Sequence, residues 1–184
     1  YIDNKFVQPE KWTFNLIESI FSTIQDSNVT KAKTYGIYGH SGGGQFVHRY
    51  ALFSNPKNAS IIIPSNSGWY TLANYKEIFP YGLDNSPLKE NMLKEKFSLP
   101  LVILLGENDT NPNSSSLRKT EEAMRQGEHR YARGKYFYTT AKSKAEELNL
   151  QFNWEIFTVQ NVGHSNEGMA PAAAEQFYKN LSNN

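Results

Sequence analysis

The sequence predicts an α/β fold, a parallel sheet flanked by helices. Three observations carry that expectation. Short apolar runs alternate with stretches of helical periodicity along the chain. Two of the runs, residues 59–64 with three consecutive isoleucines and residues 100–106 reading PLVILLG, are continuously apolar, which suits strands buried on both faces of a parallel sheet. A glycine-rich turn, Gly39-His40-Ser41-Gly42-Gly43, leaves one expected strand and opens a helix.

Taken in order, Pro9-Glu10 marks a helix start, with proline tolerated in the first turn and an acid favourable beside it. Ile17, Ile20, Phe21 and Ile24 follow at i, i+3, i+4 and i+7, the spacing of one buried helix face. Residues 33–38 are partly aromatic or β-branched and stop at glycine, so they read as the first strand. Phe46, Val47, Tyr50 and Ala51 then resume helical spacing. Residues 59–64 form the second strand. Residues 70–99 are the least regular and are expected to form a cap-like excursion over the strand ends, with 89–96 a solvated helix face. The third strand is 100–106, followed by helical stretches at 114–126 and 131–148. A fourth strand at 152–159 precedes a last helix in which Ala174, Phe177, Tyr178 and Leu181 share a face. With no repeat, linker or low-complexity tract, residues 1–184 read as a single domain.

Composition narrows the function classes. The 19 basic and 18 acidic side chains nearly cancel, so no global field favours nucleic acid or an anionic membrane. No apolar run approaches the ~20 residues needed to span a bilayer. The absence of cysteine excludes disulfides, thiolate metal sites and a cysteine nucleophile. Four scattered histidines make no metal site, and no cofactor is expected. Secretion and a cytoplasmic location both stay open.

A serine fenced by glycines occurs in two hydrolase settings. Trypsin-like proteases place histidine and aspartate well before the serine. Here the sole histidine before Ser41 is its immediate neighbour His40, and helical periodicity stands where a β-barrel would need strands. The other setting is a sharp strand-to-helix turn with the order serine, acid, histidine. The third strand ends in Gly106-Glu107-Asn108-Asp109 and the fourth runs into Gly163-His164. In a parallel sheet the three loops share one edge, the edge where open α/β folds bind ligands. Glu107 remains an alternative acid, and Asp109 also fits a plain turn residue.

On the segments PEKWTFNLIESIF, GHSGGG, SNSGWY, GENDT and VGHSNEGMAP, the chain resembles the α/β-hydrolase superfamily. Within it, the chain is similar to polyhydroxybutyrate depolymerase-like esterases and carboxylesterase-type serine hydrolases, GWY and HRYARG being the main support. The resemblance implies an α/β-hydrolase-type parallel sheet and a Ser41, Asp109, His164 triad. The backbone N–H of Gly42 would be an oxyanion donor, and the substrate a small-molecule or polymeric ester. His40, Asn66, Trp69 and Tyr70 are expected to line the substrate pocket, with Tyr75, Phe79 and Tyr81 beside them. About 38 residues precede Gly39, so the chain is expected to match the C-terminal two-thirds of that fold. It would then leave the first strand with an unpaired edge and lack the upstream oxyanion donor. A serine peptidase of the same fold and a catalytically silent binding domain are the rival readings.

Overall fold

The computed structural model describes residues 6–182. Four strands, β1 (Tyr35–His40), β2 (Ala59–Ser65), β3 (Val102–Gly106) and β4 (Glu155–Val159), form a parallel sheet in the order β1-β2-β3-β4. The helices are α1 (Asn15–Asp26), α2 (Gly42–Phe53), α3 (Leu93–Phe97), α4 (Glu121–Gln126), α5 (Arg130–Glu147) and α6 (Asn166–Ser182). Strand and helix alternate because each apolar strand needs cover on both faces.

The strand sequences show how that cover is divided. Ile62, Leu101, Ile103 and Leu105 point into one core with Val47 and Tyr50 of α2, Phe97 of α3, and Phe137 and Ala141 of α5. Ile61, Ile63, Val102 and Leu104 point the other way, against Met169 and Ala173 of α6. Each fully buried aliphatic chain contributes roughly 1.5–3 kcal/mol, and the period-2 alternation assigns every one to a face.

Several expectations are corrected. The first strand begins at Tyr35 and runs on through Gly39, because pairing with β2 continues to His40↔Ser65. α2 starts at Gly42 rather than near Phe46, directly after the serine. The Pro9 region is a 3-10 turn, Pro9–Lys11, and the helix proper begins at Asn15. Of the expected α1 face, Phe21 is buried while Ile20 and Ile24 are 55% and 38% exposed, since nothing among the described residues covers that stripe. Among the 114–126 residues only Glu121–Gln126 is helical, capped by the Thr120 hydroxyl. The last helix turns its Met169 and Ala173 side inward, leaving Ala174, Tyr178 and Leu181 exposed. Lys96 is buried rather than solvated, its ammonium donating to Ser54 O at 2.7 Å.

The 70–99 segment is irregular up to a 3-10 turn at Glu90–Met92. Tyr70, Leu72, Ala73, Leu83 and Leu88 from it enter the main core instead of passing over the strand ends. α1 is tied down through Glu18, whose carboxylate accepts from Asn58 Nδ2 at 2.7 Å and from the Tyr35 hydroxyl at 2.6 Å. Among the described residues, β1 is an edge strand, paired only with β2. No helix of the described residues is long and apolar enough to cross a membrane.

Candidate active site

Ser41 stands between β1 and α2 with φ 56° and ψ −114°, a backbone conformation that side chains rarely adopt. Its N–H donates to Ser65 O at 2.9 Å, which pins the turn to the end of β2. Two glycines make the turn possible. A Cβ on Gly39 would lie 2.3 Å from Gly43 O, and one on Gly44 would lie 2.5 Å from Ser65 O. Position 43 has no such need, since a Cβ there meets nothing within 4 Å. Gly42 is the first residue of α2, where a backbone N–H has no acceptor inside the helix.

His164 follows β4 on a loop held against the β3 loop. Asn108 N donates to Val162 O at 2.9 Å, and Glu107 N to Val159 O at 3.0 Å. Gly106 is required at this junction, because a Cβ would lie 2.5 Å from Val162 O. Asp109, 3% exposed, sits near the start of the loop that leaves β3. Its Oδ2 lies 2.8 Å from His164 Nδ1, and His164 Nε2 lies 3.0 Å from Ser41 Oγ. A carboxylate can only accept, so Nδ1 carries the proton and Nε2 is left to accept from the serine hydroxyl. Glu107 is turned elsewhere, accepting from Asn161 N at 3.3 Å. The three side chains thus meet in one hydrogen-bonded chain drawn from three loops at one sheet edge.

Arg130, the first residue of α5, has no sequence signal of its own. Its guanidinium is 2% exposed and lies 3.6 Å from Asp109 Oδ1. Nη2 donates to Ser116 Oγ at 2.9 Å and Nη1 to Ser114 Oγ at 3.4 Å. Tyr131 N also donates to Asp109 O at 3.1 Å. The rest of HRYARG is structural: His129 Nδ1 caps α5 by accepting from Ala132 N, and Arg133 donates to Gly127 O and Gly68 O.

The expected pocket residues divide. His40 is half-buried with its ring 4.7 Å from that of His164. Burial, with the neighbouring His164, pulls its pKa down to about 4. Trp69 is 8% exposed and packs on Tyr81, with the Arg49 guanidinium 4.2 Å and that of Arg118 5.2 Å from its ring centre. Tyr70 is not a pocket residue. It is fully buried and stacked on Phe137 at 4.6 Å, its backbone clamped by Gln126. Asn66 is not one either. It is buried, accepts from Gly106 N at 2.8 Å and donates to Gly163 O at 3.1 Å, so it brackets the acid and histidine loops. An Asn flanked by serines directly after a strand is the sequence signal, and it adopts φ 43°.

His48 does similar work behind the serine. Its Nδ1 donates to Gly44 O and its Nε2 accepts from Thr71 N, both at 3.0 Å. Complete burial holds its pKa well below the ordinary histidine value. A cavity of about 450 Å³ lies along the Phe46, Arg49 and Phe53 side of α2, facing Trp12 and Phe14. It includes none of Ser41, Asp109 and His164.

No family model matches the sequence, and no curated protein matches it significantly. Solved structures do. Poly(aspartic acid) hydrolase-1 from Sphingomonas sp. KT-1 is 42% identical with a TM-score of 0.86, over 90% of this chain and 63% of that one. LpqC, a poly(3-hydroxybutyrate) depolymerase from Bordetella parapertussis, is 31% identical with a TM-score of 0.88, over 94% of this chain and 58% of that one. The chain therefore spans about three-fifths of the length of these two neighbours.

Proposed function

We propose that this chain, which has the α/β-hydrolase fold, carries the catalytic centre of a serine hydrolase that cleaves carboxylic esters through an acyl-enzyme. The observation that carries the reading is the unbroken chain from Ser41 Oγ to His164 at 3.0 Å and from His164 to Asp109 at 2.8 Å. The neighbour named for poly(3-hydroxybutyrate), a polyester, supports a small-molecule or polymeric ester as substrate, while the one named for poly(aspartic acid), a polyamide, favours the rival amide-cleaving reading.

Ser41 Oγ attacks the ester carbonyl carbon while His164 Nε2 takes its proton. Asp109 holds the productive tautomer and stabilises the imidazolium that forms. Charge gathers on the carbonyl oxygen, where the Gly42 N–H is placed to donate; a donor of that kind is worth roughly 3–4 kcal/mol. The tetrahedral intermediate collapses, and His164 returns the proton to the departing alkoxide. Water, activated by the same histidine, then attacks the acyl-serine and releases the acid.

Burial of Asp109 beside Arg130 suits this role. The carboxylate faces an adjacent guanidinium and is kept from water, so its hydrogen bond to His164 is not shared with solvent. The test is turnover of p-nitrophenyl butyrate by this chain and by Ser41→Ala. The reading expects hydrolysis above background that falls by roughly 10⁶-fold, to background, in the variant. Equal rates in the two proteins would overturn it and leave the silent binding domain.

A further inference from the structure

We infer that Arg49 and Arg118, gathered on the Trp69 ring, form a subsite for a carboxylate carried by the substrate close to its scissile ester. The inference rests on the serine-hydrolase reading and specifies the substrate class for the same site.

The two guanidiniums lie 4.2 Å and 5.2 Å from the Trp69 ring centre, and Arg118 also lies 5.8 Å from that of Tyr81. Arg49 donates to Thr71 Oγ1 at 3.0 Å and to Gln45 O at 3.2 Å, both uncharged acceptors. Its Nη2 is buried without a hydrogen-bond partner. Among the described residues, no carboxylate pairs with either guanidinium, whereas Lys96, Arg125, Arg130 and Lys144 each have one within 4.0 Å. Two neighbouring cations on an apolar ring repel each other, and an unmatched buried charge is costly. Burial and the charge of Arg118 lower the Arg49 pKa to about 10, so Arg49 remains charged at neutral pH. An anion supplies what the fold leaves out, and the planar fork of arginine fits a carboxylate.

Position assigns the anion to the substrate. Arg49 reaches back to Gln45 O, and Gln45 N donates to Ser41 O at 3.0 Å. Gln45 and Arg49 follow Ser41 by about one and two helical turns, roughly 6 and 12 Å along the axis, and the guanidinium folds back from the second toward the first. Trp69 comes from the loop leaving β2, and Arg118 from the loop leaving β3 beyond Asp109. Arg118 is exposed, which leaves the subsite open to solvent.

The test compares mono-p-nitrophenyl adipate with p-nitrophenyl hexanoate, which differ only in the terminal carboxylate. The readout is the ratio of their kcat/KM values in this chain, in Arg118→Gln and in Arg118→Lys. The inference expects a preference for the adipate ester of about tenfold at low salt, carried by KM and weakened as salt screens the exposed Arg118. Arg118→Gln brings the ratio near one, and Arg118→Lys keeps part of it. A ratio near one in the unaltered chain, or one that Arg118→Gln leaves in place, overturns the inference while hydrolysis of the hexanoate still upholds the serine-hydrolase reading. Calorimetric binding of adipate to Ser41→Ala reads the same subsite without turnover. Binding at least tenfold tighter than to the Ser41→Ala, Arg118→Gln double variant supports the inference; equal binding counts against it.

Discussion

Replacing Arg130 with methionine keeps most of the volume of the side chain and removes its charge. Nη1 lies 3.6 Å from Asp109 Oδ1, and the two side chains are 2% and 3% exposed. At that separation and an effective dielectric of about 20, the attraction is about 4–5 kcal/mol. Removing one partner of a buried pair typically costs about 3–5 kcal/mol, because the remaining charge stays buried. His164 still partners Asp109 Oδ2 at 2.8 Å, so the lower end, about 3 kcal/mol, is the expected loss of unfolding free energy. Catalysis should suffer with stability, since Arg130 helps hold the Asp109 carboxylate where His164 meets it. Arg130→Lys keeps the charge and part of both effects, although its ammonium cannot reproduce both serine contacts. Urea denaturation and steady-state kinetics on p-nitrophenyl butyrate read the two effects. An Arg130→Met protein within about 0.5 kcal/mol of the parent, with kcat/KM unchanged, would refute the reasoning.

Three further outcomes follow from the geometry. Gly39→Ala forces a Cβ to 2.3 Å from Gly43 O and 2.8 Å from Val47 Cγ2, so it should cost about 2 kcal/mol or more and most of the turnover. Gly43→Ala, with nothing within 4 Å, should leave the melting temperature unchanged or raise it; equal effects at the two positions would contradict the elbow geometry. Asp109→Asn should lower kcat by about 10⁴-fold while Glu107→Gln, whose carboxylate faces Asn161 N, stays within about tenfold of the parent; steady-state kinetics showing the reverse order would reassign the acid. His48 and His40 are held neutral in the fold by pKa values lowered below the ordinary 6.5. The unfolded chain therefore binds protons first, so stability is complete above about pH 6.5 and declines toward pH 4. The buried His48 alone sets a slope of up to about 1.4 kcal/mol per pH unit below about pH 5.5. Denaturation series at several pH values check this, and a flat profile from pH 7 to 5 would count against it.

The parts legible in sequence were those with a local cause. Continuous apolar runs located β2 and β3, shorter aromatic and β-branched stretches located β1 and β4, and glycines at 39 and 106 marked the loops where backbone approaches backbone. The candidate serine, acid and histidine stand out by their order relative to those strand ends. What escaped depends on tertiary approach. Arg130 reads as one basic residue in HRYARG until α5 docks its first turn on the β3 loop. Asn66 and Tyr70 sit in a segment, SNSGWY, whose polar and aromatic composition suits a pocket, yet one brackets two loops and the other stacks in the core. Periodicity showed that α1 is amphipathic but not what would lie against it, so Ile20 and Ile24 were read as buried. Lys96 was read as solvated because charge hides the reach of a long apolar stem to Ser54 O.

The central claim is an activated nucleophile at position 41. It is tested most directly by treating the folded chain with a fluorophosphonate and mapping the adduct by peptide mass spectrometry. The account predicts one equivalent of label, on Ser41, fast in the parent, greatly slowed in His164→Ala and absent from Ser41→Ala. A folded parent that takes up no label, or takes it up on another residue, would contradict it.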